Sequence, residues 1–295
     1  MPTFDTFDTP EPISVTVEIG VGDIRIAAGD RSDTIVEVRP SDAGRKGDVE
    51  LADQTRVELS GGRLLIRAPR GWRYYSPWGG RESIDVEIAL PPGSHVHAHA
   101  GVAAVNATGR LGECRVKTGV GEIRVERAAA VRLDTSGGNI SVDRVEGRAE
   151  VSTATGAVRI GALEGGGTIR NSNGATRVGV AGADLRVKAG NGEIVVARAL
   201  ASVDARSANG DVRLDEVASG VIVAQTASGR VEIGVHDGVA AYLDLDTKFG
   251  AVRNDLDDAG RPEPDARTVE VHARTSFGDV VVRRSSATHT LREEA

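Results

Sequence analysis

Apolar and polar residues alternate along this chain in short bursts, and the bursts return on a nearly fixed step. Gly121, Gly138, Gly156, Gly174, Gly192, Gly210 and Gly229 follow one another at 17, 18, 18, 18, 18 and 19 residues. After each glycine comes one polar or small residue and then an apolar–x–apolar pair: Ile123/Val125, Ile140/Val142, Val158/Ile160, Ile194/Val196, Val212/Leu214 and Val231/Ile233. Thr176, paired with Val178, is the exception. Seven, five and three residues before each glycine the same bookkeeping holds: Val203, Ala205 and Ser207 before Gly210, Leu185, Val187 and Ala189 before Gly192, and Val131, Leu133 and Thr135 before Gly138. A further apolar position recurs seven residues after the glycine, as Val145, Leu163, Ala181 and Val217. Alternation with period two places every second side chain on one face of a strand. Each repeat therefore predicts two short strands joined by two corners.

The corners are too short to hold a crossover helix. Asn173-Gly174, Asn191-Gly192 and Asn209-Gly210 suit tight turns, because Asn and Gly tolerate the left-handed backbone region; Gly147, Gly165 and Gly220 mark the second corner. Strands that return every 18 residues with no helix between them must stack coil on coil, which predicts an all-β fold, a single-stranded parallel β-solenoid. The inward positions do not fall every six residues, so the left-handed hexapeptide helix is excluded, and a right-handed β-helix is expected from the crossover preference.

The register continues to both ends. Leu243, Leu245, Thr247 and Val252 surround Gly250, and Val271, Ala273, Thr275, Val280 and Val282 surround Gly278. Near the start, Val15, Val17 and Ile19 precede Gly22, with Ile24 and Ile26 after it; Val57 and Leu59 precede Gly62, with Leu64 and Ile66 after it. Spacing there is about doubled, so the chain divides into an extension (1–12), a decorated and partly antiparallel capping region (13–100) with an insertion (70–81), the regular solenoid (101–284) and a polar, disordered tail (285–295). Roughly ten layers at about 4.8 Å each would make a rod about 45–50 Å long.

Composition narrows the picture. With 37 Gly but only four Phe, three Tyr, two Trp, one Met and one Cys in 295 residues, the core must be thin and lined by small aliphatic side chains. Thirty-six basic against 43 acidic residues give a net charge of −7, which argues against a nucleic-acid partner. Lysine occurs only at 46, 117, 188 and 248. Cys114 can form no disulfide within the chain and falls on an inward position, so it is expected in the core. The first residues lack the basic start and apolar run of a signal peptide, and the longest uncharged stretch, about 218–229, is too short and polar to cross a bilayer. A cytoplasmic protein without direct membrane insertion is expected, peripheral to a membrane only through a partner.

The recurring string Ser207-Ala-Asn-Gly-Asp-Val-Arg-Leu214, with Gly190-Asn-Gly-Glu-Ile-Val-Val196 and Ser276-Phe-Gly-Asp-Val-Val-Val282, resembles the putative-adhesin β-strand-repeat family, also called toastrack. Ile19-Gly-Val-Gly-Asp-Ile-Arg-Ile26 is similar to that family's opening strand pair, and the resemblance covers roughly residues 13–284. It implies the solenoid fold, a role in adhesion or bacterial envelope-stress assemblies, and no catalytic residues.

Candidate chemistry is sparse. Gly-x-Gly strings such as Gly20-Val-Gly22 open no helix, so they form no phosphate loop, and the calcium-binding nonapeptide is absent. His95, His97 and His99 alternate on one strand face, which makes them a weak zinc candidate; with Val96 and Ala98 inward they would simply point outward. Arg124, Arg159, Arg177, Arg213 and Arg253 form one outward stripe, and Glu122, Glu193, Asp211 and Asp279 another, suited to solubility and in-register stacking. The segment 70–81 gathers Trp72, Arg73, Tyr74, Tyr75 and Trp78, the residue types that dominate binding hot spots. It would either bind a protein partner or cover the open end of the solenoid, and a homodimer through this end would do both. The expected function is a non-catalytic scaffold with no cofactor. A polysaccharide-active or glycan-binding β-helix and a self-assembling structural protein are the alternatives. The lack of Trp, Tyr and Phe from 110 to 235 weighs against a sugar cleft, and the polar ends weigh against self-assembly.

Overall fold

In the computed structural model, which describes residues 3–69, 82–256 and 267–285, the 18-residue period becomes a stack of parallel layers. Strands Ala149–Thr155, Gly167–Asn173, Leu185–Asn191 and Val203–Asn209 lie side by side on one wall. Ile140–Val145, Val158–Leu163, Thr176–Ala181, Ile194–Ala199 and Val212–Val217 form the other. Pairing is in register by the repeat, as in Leu185↔Val203 and Ile194↔Val212. The side chains assigned inward are inward: Val203, Val212, Leu214 and Val217 are all buried, as are Val145, Leu163 and Ala181. Burying a Val, Leu or Ile side chain contributes about 1.5–3 kcal/mol, and every layer adds a few to one continuous core.

Glycine at the first corner is dictated by close approach as well as by dihedral angle. At Gly192 φ is +147°, and a Cβ there would sit 2.1 Å from the carbonyl oxygen of Gly174 in the layer below. The same overlap recurs from Gly121 to Gly229, so the column is built on backbone touching backbone. The asparagines beside it have a different reason from the one expected. No non-glycine residue among those described has a positive φ. Asn173, Asn191 and Asn209 instead form a side-chain ladder: Asn191 Nδ2 donates to Asn173 Oδ1 at 2.8 Å and Asn209 Nδ2 to Asn191 Oδ1 at 2.9 Å.

Inside the same corner runs a polar column. In most layers a hydroxyl three residues before the glycine donates to the glycine carbonyl of the preceding layer: Thr153 to Gly138 (3.2 Å), Ser207 to Gly192 (3.2 Å), Thr226 to Gly210 (2.9 Å) and Thr275 to Gly229 (3.0 Å); Ala189 stands there before Gly192. Asn171 stands in this column in the one layer where Thr176 interrupts the apolar series. Its Nδ2 donates to the carbonyls of Gly156 and Gly174 and lies 3.3 Å from Thr176 Oγ1, while its Oδ1 is buried without a partner.

Both ends depart from simple winding. At the C-terminal end, Thr268–Phe277 pairs with Gly220–Ser228 on one side and with Ala240–Phe249 on the other. Val280–Arg284 lies likewise between Val231–Val235 and Val252–Asp255. The final coil thus inserts beneath the one that precedes it in sequence. At the opposite end, Ser14–Ala28 is sandwiched between His95–Val120 and a layer made of Arg63–Arg67 and Ile84–Leu90. The inward sets around Gly22 and Gly278 stand as expected, but around Gly250 Leu243, Leu245 and Thr247 are only half-buried and Val252 is exposed, because this coil is outermost, which an 18-residue pattern does not encode.

Beyond the N-terminal layer the pairing turns antiparallel. Thr3–Asp8 joins Asp33–Pro40, which joins Ile84–Leu90, and Arg56–Ser60 joins Arg63–Arg67. A helix absent from the sequence reading, Lys46–Gln54, packs beside them. It is pinned by Asp48, a buried carboxylate that accepts the backbone N–H groups of Asp42 and Ser83 at 3.3 and 3.2 Å. Antiparallel strands and a helix end the parallel stack and cover its edge.

Candidate functional site

With the interior filled, chemistry is confined to outward columns in which equivalent residues of successive layers stand about 4.8 Å apart. The arginine and carboxylate stripes pair, both along strands and between layers. Arg124 meets Glu122 at 3.1 Å and Arg213 meets Asp215 at 2.8 Å within one strand, whereas Arg177 reaches Glu193 of the next layer at 3.0 Å. At the second corner Arg110 grips Glu146 with two hydrogen bonds of 3.1 and 2.9 Å, which raises the arginine's pKa and holds the carboxyl below its usual range. Exposed pairs of this kind are screened by solvent and fix register more than they add stability.

Of the residues singled out in the sequence, Trp72, Arg73, Tyr74, Tyr75 and Trp78 lie outside the described residues. The flanking elements fix where their segment leaves the rod. Arg63–Arg67 and Ile84–Leu90 share one layer, paired to the two halves of Ser14–Ala28. Ala68 still donates to the Glu18 carbonyl (2.9 Å), and on the return Ser83 is held by Asp48.

His95, His97 and His99 share an outward face, in register with Ser14, Thr16 and Glu18. His95 Nδ1 accepts the Glu113 backbone N–H at 2.9 Å. Among the described residues, no three His, Cys, Asp or Glu side chains converge in a way that could hold a metal ion. Cys114 is fully buried, and desolvation, with a smaller contribution from Glu113, pushes its thiol up to about 12. It is a packing residue in an inert state.

Two features were not found by sequence reasoning. One is a cluster on the final coil. His272 lies 3.1 Å from Asp244 of the outermost layer and 2.9 Å from Glu270, and Arg274 reaches Asp244 at 2.8 Å. The carboxylates raise the His272 pKa, Asp244 foremost, while the bonds to His272 and then Arg274 lower that of Asp244. The other is a run of cations, Arg170, Lys188 and Arg206, on three successive layers. Their spacing of 18 residues was the available signal, but no local window of sequence shows them as a cluster.

Layers joined by glycine corners, a filled aliphatic interior and outward ladders define a parallel β-solenoid of the strand-repeat class. The Toastrack DUF4097 family model matches residues 11–294, and the chain belongs to that family. Among solved structures, a putative adhesin from Parabacteroides merdae is 12% identical with a TM-score of 0.47, over 79% of this chain and 95% of that one. A putative adhesin from Bacteroides fragilis is 12% identical with a TM-score of 0.35, over 96% and 97% of the two chains. A putative lipid binding protein from Parabacteroides distasonis is 13% identical with a TM-score of 0.34, over 95% and 96%. No curated protein matches the chain.

Proposed function

We propose that the protein is a non-catalytic scaffold that holds a protein partner through the segment 70–81, with Trp72, Arg73, Tyr74, Tyr75 and Trp78 as the contact. The observation that carries this reading is the pair of strands that flank the segment. Arg63–Arg67 and Ile84–Leu90 both pair with Ser14–Ala28, so the chain leaves and rejoins the rod at anchored strands. Trp, Tyr and Arg concentrated on such a support suit a hot spot, because little ordering cost remains to be met on binding. Membership of the toastrack family favours a non-enzymatic scaffold, and the buried, high-pKa thiol of Cys114 leaves it without a reactive nucleophile there. Adhesion or an envelope-stress assembly is the setting the family suggests.

The test is paired affinity capture from the native cell's lysate with intact protein and with Trp72→Ser/Trp78→Ser. A partner retained by the intact protein and lost by a variant of unchanged circular dichroism supports the reading. Equal retention by both excludes the segment as the contact, and loss of the fold in the variant makes it a cap.

A further inference from the structure

We propose that the wall carrying Arg170, Lys188 and Arg206 binds an acidic polysaccharide, independently of the segment 70–81. The three cations occupy the same strand position in three consecutive layers, paired Arg170↔Lys188 and Lys188↔Arg206. Their column is bounded by Ser152 on one side and Gln225 on the other, so no carboxylate interrupts it. Like charges directly opposite one another on adjacent strands are destabilising. Elsewhere the protein relieves such stacking. The Arg110, Arg127 and Arg144 column is countered by Glu146 and Glu164 at the same corner, and Arg198 sits on Glu216 at 2.8 Å. Here relief is slight. Arg206 meets Asp204 at 2.7 Å, an acid that Arg186 also approaches at 3.4 Å. The side chains of Arg170 and Lys188 make no ion pair or hydrogen bond with any described residue, and both are exposed. Asp184, just before the strand Leu185–Asn191, lines a neighbouring groove of about 530 Å³ with Arg186, and Glu150, in the layer of Ser152, is taken by Arg132 and Arg148 at 3.6 and 3.2 Å.

The neighbours on the other side decide the ligand's chemistry. Ser172, Gly190 and Ala208 leave a low floor beside the cations, and beyond it stand Asn173, Asn191 and Asn209. Each amide nitrogen in that ladder spends one N–H on the layer below and keeps a second for a ligand. Cations repeating about every 4.8 Å along one line fit a chain that carries acidic groups along its length. A parallel line of amide donors fits the hydroxyls of sugars better than a lipid headgroup plane. No aromatic residue lies between 110 and 235, so charge and amide contacts replace stacking on the rings.

The experiment is calorimetric titration of the full chain with polygalacturonate at low and at moderate salt, with neutral dextran as the uncharged probe. Binding to polygalacturonate and not to dextran, weakened by salt, is expected. Arg170→Ser/Lys188→Ser should weaken it by about tenfold or more, since both cations without a protein partner are lost. Asn191→Ala should weaken it less. Arg159→Ser/Arg177→Ser, which removes the same charge from the opposite wall, should leave it unchanged. Absence of binding at low salt, or an equal loss in both double variants, overturns the proposal. So does binding to vesicles containing phosphatidylglycerol, lost in Arg170→Ser/Lys188→Ser, without binding to the polymer.

Discussion

The layer that holds Asn171 and Thr176 is the weakest in the polar column, and converting it to the pattern of its neighbours should stabilise the protein. In most other layers a Thr or Ser three residues before the glycine donates to the carbonyl below, and in the Gly192 layer Ala189 brings no polar atom, so nothing is left unmet. Asn171 brings a second polar atom into the same space, and its Oδ1, fully enclosed, finds no donor. A buried acceptor left without a partner costs about 1–3 kcal/mol. Asn171→Thr removes it and keeps a hydroxyl aimed at Gly156. Thr176, also fully buried, then loses the amide it lay against, so the single substitution should be close to neutral. Adding Thr176→Val restores the Val or Ile of the flanking layers, Val158 and Ile194, to which residue 176 is paired. The double variant should gain about 1–3 kcal/mol, raising Tm by roughly 2–4 °C for each kcal/mol. The two substitutions should couple by at least about 0.5 kcal/mol. Thermal unfolding of the four proteins of the cycle measures this. A double variant no more stable than the original, or strictly additive effects, would refute the account of Oδ1 as an unmet cost.

Further outcomes follow from the geometry. Gly192→Ala should destabilise by more than about 3 kcal/mol through backbone overlap at a positive φ, whereas Gly29→Ala, at an ordinary φ with open space around it, should change stability by less than about 1 kcal/mol in chemical denaturation. The His272 cluster should make the hold on the outermost layer pH-dependent. The groups facing His272 are Glu270 and Arg274 on its own strand, Asp244 opposite it in the outermost layer and Val223 opposite it below. A raised histidine pKa adds stability that is present below the unfolded value and lost as pH rises through the folded one. The lowered Asp244 pKa adds stability that is present above the unfolded carboxylate value and lost as pH falls through the folded one. Hydrogen exchange across 240–249 should therefore be slowest between those two limits. His272→Gln should abolish the alkaline loss, and an unchanged profile in that variant would remove the role given to the cluster. Cys114 should resist alkylation in the native state and react only at the rate at which its layer opens, followed by mass spectrometry in increasing urea.

Most of the wall-building residues were legible in the sequence because a stacked coil repeats its requirements. Val203, Val212 and Leu214 announce their burial by spacing alone, and Cys114 was placed in the core by the same count. What the period could not carry is non-periodic or collective. The short helix Lys46–Gln54 is held by the burial of Asp48, one of whose partners, Ser83, is 35 residues away. The Asn ladder was located correctly but for another reason, since its bonds run between layers and not within a turn. The cation column escaped notice because its members become neighbours only after the chain has wound past them twice.

The exchange of layers at each end constrains how the molecule can be made. If coils were laid down strictly in order of synthesis, each would dock on the last and the rod would lengthen steadily from the ribosome. Here Ser14–Ala28 gains its outer neighbour only after Ile84–Leu90 has emerged, and the place for Thr268–Phe277 lies beneath a coil translated before it. Ala240–Phe249 therefore lacks its partner strand until Thr268–Phe277 has slipped in under it. The regular middle can wind during translation; this closure waits until Thr268–Phe277 has cleared the ribosome.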